Sequence, residues 1–335
     1  MTVTPDAAPR ASAGPLVHVY DVALFDLDGV IYVDGHAVPH AVEAVAAAHA
    51  AGQGRAFVTN NALRPADEVA ARLTALGVDT DATEVVTSAQ AAARELADRI
   101  DPGSRVLVCG GAGLVSAVEE RGLVAVSSAD DAPVAVTTGY DPVIDYPRLA
   151  EAALALRAGL PWVASNTDAT VPTGRGQLPG AGATVAFLET ASGRRPDVIA
   201  GKPHPALHRE SVLRTGSRRP LVVGDRLDTD IEGARNADVD SLLVLTGVTA
   251  VADLLRPGPR PTYLARDLRG LLVAHPDPAH TGWRITRAGD RLLASPPPRP
   301  RPDDDGLDGW RAALAVAWAD AERGTDTAEV VGLEG

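Results

Sequence analysis

The chain has 335 residues, of which 45% are hydrophobic, and its formal net charge is −13. This length favours two domains with a sizeable core, and the acidic balance argues against broad nucleic-acid binding, which needs a basic surface. The single cysteine, Cys109, excludes an intrachain disulfide. We expect a buried, inert thiol in a cytoplasmic protein. No apolar run approaches the roughly 18 residues of a membrane span, so none is predicted.

The first predicted strand lies at residues 22–25 and is followed by two acids, Asp26 and Asp28. Residues 1–16 before it have no apolar core for a signal peptide, and we expect a flexible leader there. A run of four apolar residues followed by a glycine, here Gly29, is typical of a buried parallel strand that ends in a turn. Acids at such a strand end need a cation or a proton to offset their charge. They are therefore candidate ligands at the edge where open α/β sheets bind their substrates.

The next predicted strand, residues 55–58, ends at the polar sequence Thr59, Asn60 and Asn61. Proline at the start and glycine at the end predict helices over residues 39–51 and 65–76. Ser88 is predicted to cap a helix that runs to residue 99.

A second alternation of strands and helices is predicted from residue 106 onward. It comprises strands at 106–109, 134–138 and 162–164 and helices at 114–120, 146–157 and 184–190. Residues 166–182 are rich in glycine and are predicted to form a loop. A glycine cluster at residues 110–113 has the start of a dinucleotide-binding pattern. It carries Ser116 where that pattern needs glycine, and a plain strand-to-helix turn is the preferred interpretation.

Two more polar motifs follow the predicted strands at residues 198–200 and 221–223. The first contains Lys202, the only lysine in the chain, and the second contains Asp225, with Asp228 and Asp230 close behind. Because the other basic residues are all arginine, a position that kept lysine indicates a need for a compact ammonium group. His204 and His208 follow Lys202, and we expect them to face solvent or cap a helix rather than bind a metal.

Parallel strands joined by helices bring the four motifs to one edge of the sheet. The acids there can hold a hard cation such as Mg²⁺, and the threonine, asparagines and lysine can hold an anion. A phosphoryl group that bridges to Mg²⁺ satisfies both sets.

The C-terminal segment, residues 276–335, differs in character from the rest. A hairpin is predicted around residues 283–294, followed by a proline-rich linker whose acids, residues 303–305, are expected to be solvated. A helix over residues 307–322 places Trp310 and Trp318 near helical spacing, and we interpret them as packing residues. A partner surface is the alternative.

With these motifs in order, the sequence resembles the haloacid dehalogenase-like phosphohydrolases, in particular the NagD-type branch. The resemblance rests on the Asp26-x-Asp28-Gly block, Thr59, the distant Lys202 and the Asp225-to-Asp230 spacing. It implies an α/β fold with a Rossmann-like, doubly wound parallel sheet and an inserted α/β cap domain. The implied divisions are a leader (1–16), a discontinuous core (17–87 and 194–275), a cap (88–193) and the C-terminal segment (276–335).

The resemblance also implies an enzyme that hydrolyses phosphate monoesters through an aspartyl-phosphate. Asp26 would be the nucleophile, and Asp28 would be the general acid and base. Mg²⁺ would be bound by the carboxylates of Asp26 and Asp225 and by the backbone carbonyl of Asp28. Asp230 would orient a metal-bound water or Lys202, and Asp228 is expected to cap a helix. The implied phosphate-binding residues are Thr59 through its hydroxyl, Asn60 through its backbone N–H, Asn61 as the support of that loop, and Lys202.

The substrate is expected to be a small phosphorylated metabolite, with glycerol 3-phosphate the preferred candidate. Phosphoglycolate, pyridoxal phosphate and nucleotide monophosphates remain alternatives, and a non-catalytic phosphometabolite-binding protein is a remote one. Asp168 and Arg175 in the cap are candidate specificity residues. We expect no nucleic-acid or membrane partner, and a homodimer through the cap is a further hypothesis.

Overall fold

The structure, a computed structural model, describes residues 8–333. The chain divides into two compact units. The first contains the described residues up to Arg55 and from Ser217 onward, and the second is Ala56–Gly216. Within residues 8–333 no helix combines the length and the apolar character needed to cross a bilayer. The predicted domain boundaries remain predictions.

Strands occur throughout the described chain and are numbered in chain order. They are β1 (Val22–Phe25), β2 (Tyr32–Val33), β3 (His36–Ala37), β4 (Gly54–Thr59), β5 (Val85–Thr87), β6 (Arg105–Cys109), β7 (Val124–Val126), β8 (Ala135–Thr138), β9 (Trp162–Ala164), β10 (Thr170–Thr173), β11 (Gly176–Pro179), β12 (Val198–Ile199), β13 (Pro220–Gly224), β14 (Asp240–Val244), β15 (Tyr263–Ala265), β16 (Arg284–Ala288), β17 (Arg291–Ser295) and β18 (Glu329–Val331).

The α-helices alternate with these strands over most of the chain. They are α1 (Leu16–Val19), α2 (Ala41–Ala50), α3 (Ala66–Ala75), α4 (Ser88–Ala97), α5 (Ala112–Glu120), α6 (Tyr146–Arg157), α7 (Ala181–Ser192), α8 (Ala206–Thr215), α9 (Glu232–Asn236) and α10 (Asp308–Glu322). The predicted α/β class, with a Rossmann-like parallel sheet and a cap, is confirmed.

In the first unit, strands β15, β14, β13 and β1 lie side by side in that order and are parallel. Phe25 at the end of β1 is opposite Val223 of β13. The residues that follow these two strands therefore leave the sheet at the same carboxyl edge, where parallel α/β sheets form their binding sites.

The C-terminal segment packs into the same unit. Strands β16 and β17 form the predicted antiparallel hairpin, and β18 pairs with β17. Helix α10 buries Trp310 and Trp318 in one hydrophobic cluster with Leu243 of β14 and Leu264 of β15. The packing role predicted for these tryptophans is confirmed.

The second unit contains a five-stranded parallel sheet in the order β12-β9-β8-β6-β7, and β4 pairs in parallel with β5. The turn before α5 packs against the chain after Thr59, where Gly113 N donates to Leu63 O at 2.8 Å. A Cβ at Gly113 would lie only 2.4 Å from Arg64 O. The glycine cluster thus lies at a strand-to-helix turn, as predicted, and it also allows close backbone packing.

Four local predictions were wrong. Thr87, not Ser88, caps α4, because its hydroxyl accepts from Gln90 N. Residues 166–182 contain the β10–β11 hairpin rather than only a loop. Part of the expected leader is held in place, since Arg10 N donates to Thr262 O, whereas residues 1–7 lie outside the described chain. Asp305 binds the buried guanidinium of Arg311 instead of being only solvated.

Candidate active site

Asp26 lies at the carboxyl end of β1, a strand buried along its whole length. Its N–H donates to Val223 O at 2.8 Å, so pairing with β13 fixes the backbone that carries the carboxylate. Asp26 is half-buried, whereas Asp28 is exposed and accepts a long hydrogen bond, 3.4 Å, from Tyr32 Oη. A rigid strand end therefore presents one acid, and the turn after it presents the other.

Asp225 follows β13 directly and is 0% exposed. Val248 N donates to its Oδ2 at 2.7 Å. Two glycines leave room for this side chain, since a Cβ at Gly29 would lie 2.5 Å from Asp225 Oδ2 and one at Gly247 would lie 2.0 Å from it. Gly29 also has a positive φ of 84°, which favours glycine. The sequence around Asp225 thus keeps a close-fitting space for a buried carboxylate.

Asp230 lies in a single π-helical turn, Leu227–Ile231, and is 1% exposed. Its Oδ2 accepts from Arg226 N at 3.1 Å. Asp228 in the same turn is exposed and pairs with the Arg226 guanidinium, which holds the pKa of that carboxyl below its usual range. The prediction that Asp228 caps a helix was therefore wrong.

The carboxylates of Asp26, Asp225 and Asp230 come together, with one oxygen from each lying within 4.8 Å of the others. Three acids this close repel one another unless a cation or protons offset their charge. Their donor atoms are all hard oxygens, the ligands that Mg²⁺ prefers. This cluster fits the predicted magnesium site, and it adds the Asp230 carboxylate, which the sequence placed only near it. The role of the Asp28 carbonyl as a ligand remains a prediction.

In the second unit, the chain leaves β4 in a tight polar turn. Asn61 N donates to Thr59 Oγ1 at 3.1 Å, and Leu63 N donates to Asn61 Oδ1 at 2.8 Å. Thr59 is buried, with its hydroxyl at the strand end. Asn61 therefore shapes the loop that carries Thr59, which is the supporting role expected of it.

Asn60 in the same turn holds the backbone of Lys202. Lys202 N donates to Asn60 Oδ1 at 2.8 Å, and Asn60 Nδ2 donates to Lys202 O at 3.1 Å. Lys202 itself is 4% exposed. Two motifs that are far apart in the sequence are thus directly linked in the structure.

The two candidate specificity residues occupy different places. Asp168 accepts from Asn60 Nδ2, with both carboxylate oxygens at 3.2 Å. Arg175 is exposed in the turn of the β10–β11 hairpin, where its N–H donates to Thr173 Oγ1. The structure places Asp168 with Asn60 and Lys202, and the specificity roles of Asp168 and Arg175 remain predictions.

His208 on α8 was wrongly expected to face solvent or to cap a helix, since it is 1% exposed. Burial, reinforced by the charge of Lys202, lowers its pKa to about 3. The imidazole is therefore neutral at physiological pH. The spacing of His208 from His204, four residues along the sequence, did not indicate that His208 would be buried. Cys109, in contrast, is buried as predicted, and burial raises its thiol pKa to about 12.

Comparisons with known proteins agree with this arrangement. A family model described as haloacid dehalogenase-like hydrolase matches residues 23–124, and a second HAD-hydrolase-like model matches residues 199–271. The two matches contain Asp26 and Asp28 on one side and Lys202, Asp225 and Asp230 on the other.

Individual relatives match over most of their length. The chain is 45% identical over 314 residues to a D-glycerol 3-phosphate phosphatase of Mycobacterium tuberculosis, covering 89% of this chain and 86% of the relative.

Among solved structures, a glycerol phosphate phosphatase of M. tuberculosis in complex with magnesium matches with a TM-score of 0.83 and 43% identity, covering 94% of this chain and 95% of the other. A 4-nitrophenylphosphatase of Thermotoga maritima matches with a TM-score of 0.71 and 32% identity, covering 77% and 98%. The chain therefore belongs to the haloacid dehalogenase-like hydrolases.

Proposed function

We propose that this chain is a Mg²⁺-dependent phosphatase that hydrolyses glycerol 3-phosphate. The observation that carries the proposal is the cluster of three carboxylates around the strand end of Asp26. Similarity to a phosphatase named for glycerol 3-phosphate, extending over 89% of the chain, supports the substrate.

A carboxylate oxygen of Asp26 attacks phosphorus in line with the ester oxygen, so that an O–P bond to Asp26 forms while the P–O bond to the leaving alkoxide breaks. This covalent step divides the hydrolysis into two easier reactions. The rigid end of β1 aims a weak nucleophile, and correct aim is worth several orders of magnitude in rate. When bound, Mg²⁺ at the Asp26, Asp225 and Asp230 cluster supplies Lewis-acid neutralisation of the phosphoryl charge.

Asp28 transfers the protons that both steps require. In the first step it gives a proton to the leaving alkoxide, and in the second it takes one from the water that hydrolyses the aspartyl-phosphate. Its exposed position in the turn after β1 suits contact with water.

Thr59 and Lys202 bind the phosphoryl oxygens, together with the backbone N–H of Asn60. The Thr59 hydroxyl accepts from Asn61 N, which leaves its O–H to donate to a phosphoryl oxygen. The ammonium group of Lys202 offsets the negative charge that gathers on the phosphoryl group and on Asp26.

Asp26→Asn tests the proposal. An amide does not attack phosphorus, so we expect turnover of glycerol 3-phosphate to fall at least about 1,000-fold, or about 4 kcal/mol of transition-state stabilisation. Circular dichroism should show an unchanged fold. Phosphate release would be measured with saturating Mg²⁺ beside Ser116→Ala, a control at a half-buried position of α5 whose hydroxyl donates to Glu120. Residual activity above a few per cent would remove Asp26 from the nucleophile role.

The choice of substrate is tested by kcat/KM across glycerol 3-phosphate, phosphoglycolate, pyridoxal phosphate and nucleotide monophosphates. The proposal requires glycerol 3-phosphate to be the best of these. A tenfold preference for another ester would reassign the substrate and leave the reaction class intact.

We also propose that two copies associate through the cap in the cytoplasm. Val143 and Tyr146 are 82% and 72% exposed, and the Tyr146 ring contacts Phe187 edge-on at 6.1 Å between centroids. An exposed aromatic patch of this kind is typical of protein interfaces. Light scattering of the parent and of Tyr146→Ser should give a dimer and a monomer, respectively, and a monomeric parent would contradict the assignment.

A further inference from the structure

We propose that the side chain of Asn60 is a positioning residue for Lys202, and that Asp168 acts by fixing the orientation of the Asn60 amide. This inference rests on the proposed function, in which Lys202 neutralises charge on the phosphoryl group. It assigns both side chains a task that the sequence did not suggest, since Asn60 was expected to act through its backbone and Asp168 through the substrate.

The side-chain amide of Asn60 pairs with the backbone N–H and C=O of Lys202, as the backbone of a neighbouring strand would. It accepts from Lys202 N at 2.8 Å and donates to Lys202 O at 3.1 Å, so both backbone polar groups of one residue bind one side chain. The fit is close, because a Cβ at Gly201 would lie 2.6 Å from Asn60 Oδ1. Two hydrogen bonds from a planar group hold the lysine backbone in position and in orientation.

Asp168 reinforces the orientation of this amide that the backbone of Lys202 selects. An ionised carboxylate can only accept hydrogen bonds, so the Asn60 atom beside it must be the donor Nδ2. Nδ2 lies 3.2 Å from each Asp168 oxygen, which directs Oδ1 toward Lys202 N. Asp168 is itself held, because its N–H donates to Asn166 Oδ1 at 3.1 Å. If the amide were flipped, Nδ2 would face the Lys202 N–H and Oδ1 would face the Lys202 carbonyl, and both hydrogen bonds would be lost.

The Asn60 backbone is anchored without its side chain. Its carbonyl accepts from Ser88 Oγ at 2.6 Å and from Asn166 Nδ2 at 2.7 Å. Asn60→Ala should therefore leave the turn after β4, and the proposed phosphate-binding N–H, in place. The substitution separates the side-chain role from the backbone role.

Fixing the lysine backbone has a kinetic consequence. An ammonium group at the end of a flexible four-carbon chain acts well only if its Cα is held, and a misplacement of about 1 Å costs on the order of 100-fold in rate. Loss of the Asn60 amide should thus lower kcat more than it raises KM, since the phosphate contacts of Thr59 and of the Asn60 N–H survive.

A double-mutant cycle with Lys202→Ala tests the inference, using glycerol 3-phosphate and p-nitrophenyl phosphate with saturating Mg²⁺. We expect Asn60→Ala to lower kcat about 10- to 100-fold in the parent and less than about 2-fold in the Lys202→Ala background, because a residue that acts only through Lys202 has nothing left to position. Asp168→Leu should follow the same pattern more weakly, and Asp168→Asn, which keeps an acceptor, should restore most of the activity.

Equal losses in both backgrounds would overturn the inference while leaving Lys202 in its catalytic role. A fully active Lys202→Ala would instead remove the proposed role of the lysine. Ser116→Ala is the control and should match the parent.

Amide hydrogen exchange gives a readout independent of activity. Because Lys202 N–H donates to Asn60 Oδ1, exchange in the peptide that covers residues 200–204 should be faster in Asn60→Ala than in the parent. Unchanged exchange there would also contradict the positioning role.

Discussion

Among single residues, Lys202 poses the sharpest question, because every other basic residue of the chain is arginine. Lys202 is 4% exposed, so a bulkier planar guanidinium would have to fit at a buried position. We expect Lys202→Arg to lower kcat/KM at least about 100-fold, or about 2.7 kcal/mol, with little change in thermal stability. Steady-state kinetics beside Lys202→Ala would measure this. An arginine variant that works nearly as well as the parent would make the lone lysine an accident of composition.

His208 gives a prediction about pH and stability. Its pKa is lowered from 6.5 to about 3 by burial and by the charge of Lys202. Between these values the unfolded chain binds a proton that the folded chain does not, so stability falls as the pH decreases, by up to about 1.4 kcal/mol per pH unit.

His208→Phe removes this titrating group and keeps a ring of similar size. Urea denaturation from pH 7 to pH 5 should show a smaller loss of the free energy of unfolding in His208→Phe than in the parent. An identical pH dependence in the two proteins would show that His208 is protonated in the folded state or is not buried.

At the level of elements, the loop after β14 closes on Asp225. A Cβ at Gly247 would lie 2.0 Å from Asp225 Oδ2, and Asp225 is 0% exposed. Gly247→Ala should therefore displace Asp225, raise the Mg²⁺ concentration for half-maximal activity and lower turnover at least about tenfold, as expected for a disturbed metal ligand.

Gly258→Ala is the matched control, because nothing lies within 4 Å of the added Cβ. Activity would be measured across a Mg²⁺ titration. The assignment of Asp225 as a metal ligand fails if the two alanine variants behave alike.

For the whole molecule, the C-terminal segment should contribute to the stability of the first unit. Trp318 of α10 is 3% exposed, its indole N–H donates to Leu254 O at 2.9 Å, and it shares a cluster with strand residues of the sheet. Trp318→Ala should cost about 3–5 kcal/mol in the free energy of unfolding. Leu213→Ala, at a side chain that is 64% exposed, should cost less than about 0.5 kcal/mol. Denaturation followed by circular dichroism would compare them, and equal stabilities would make α10 a peripheral attachment.

The fold class and the family could be predicted from the amino-acid sequence, and so could the strand ends after which the acids lie. Strand ends followed by Asp26, Thr59, Lys202 and Asp225 could be recognised because buried apolar runs and acidic turns are local patterns. The hairpin at β16–β17 and the buried face of α10 were predictable for the same reason, since alternation and helical spacing are visible along the chain.

How distant residues meet could be learned from the folded structure alone. Asp230 joins the carboxylate cluster because a π-helical turn directs it there, whereas its spacing from Asp225 predicted only a place beside the metal site. The burial of His208 and the contact of Asn60 with Lys202 and Asp168 depend on chain segments more than 100 residues apart coming together. Burial and hydrogen-bond partners of this kind are set by packing, and packing is a property of the folded chain.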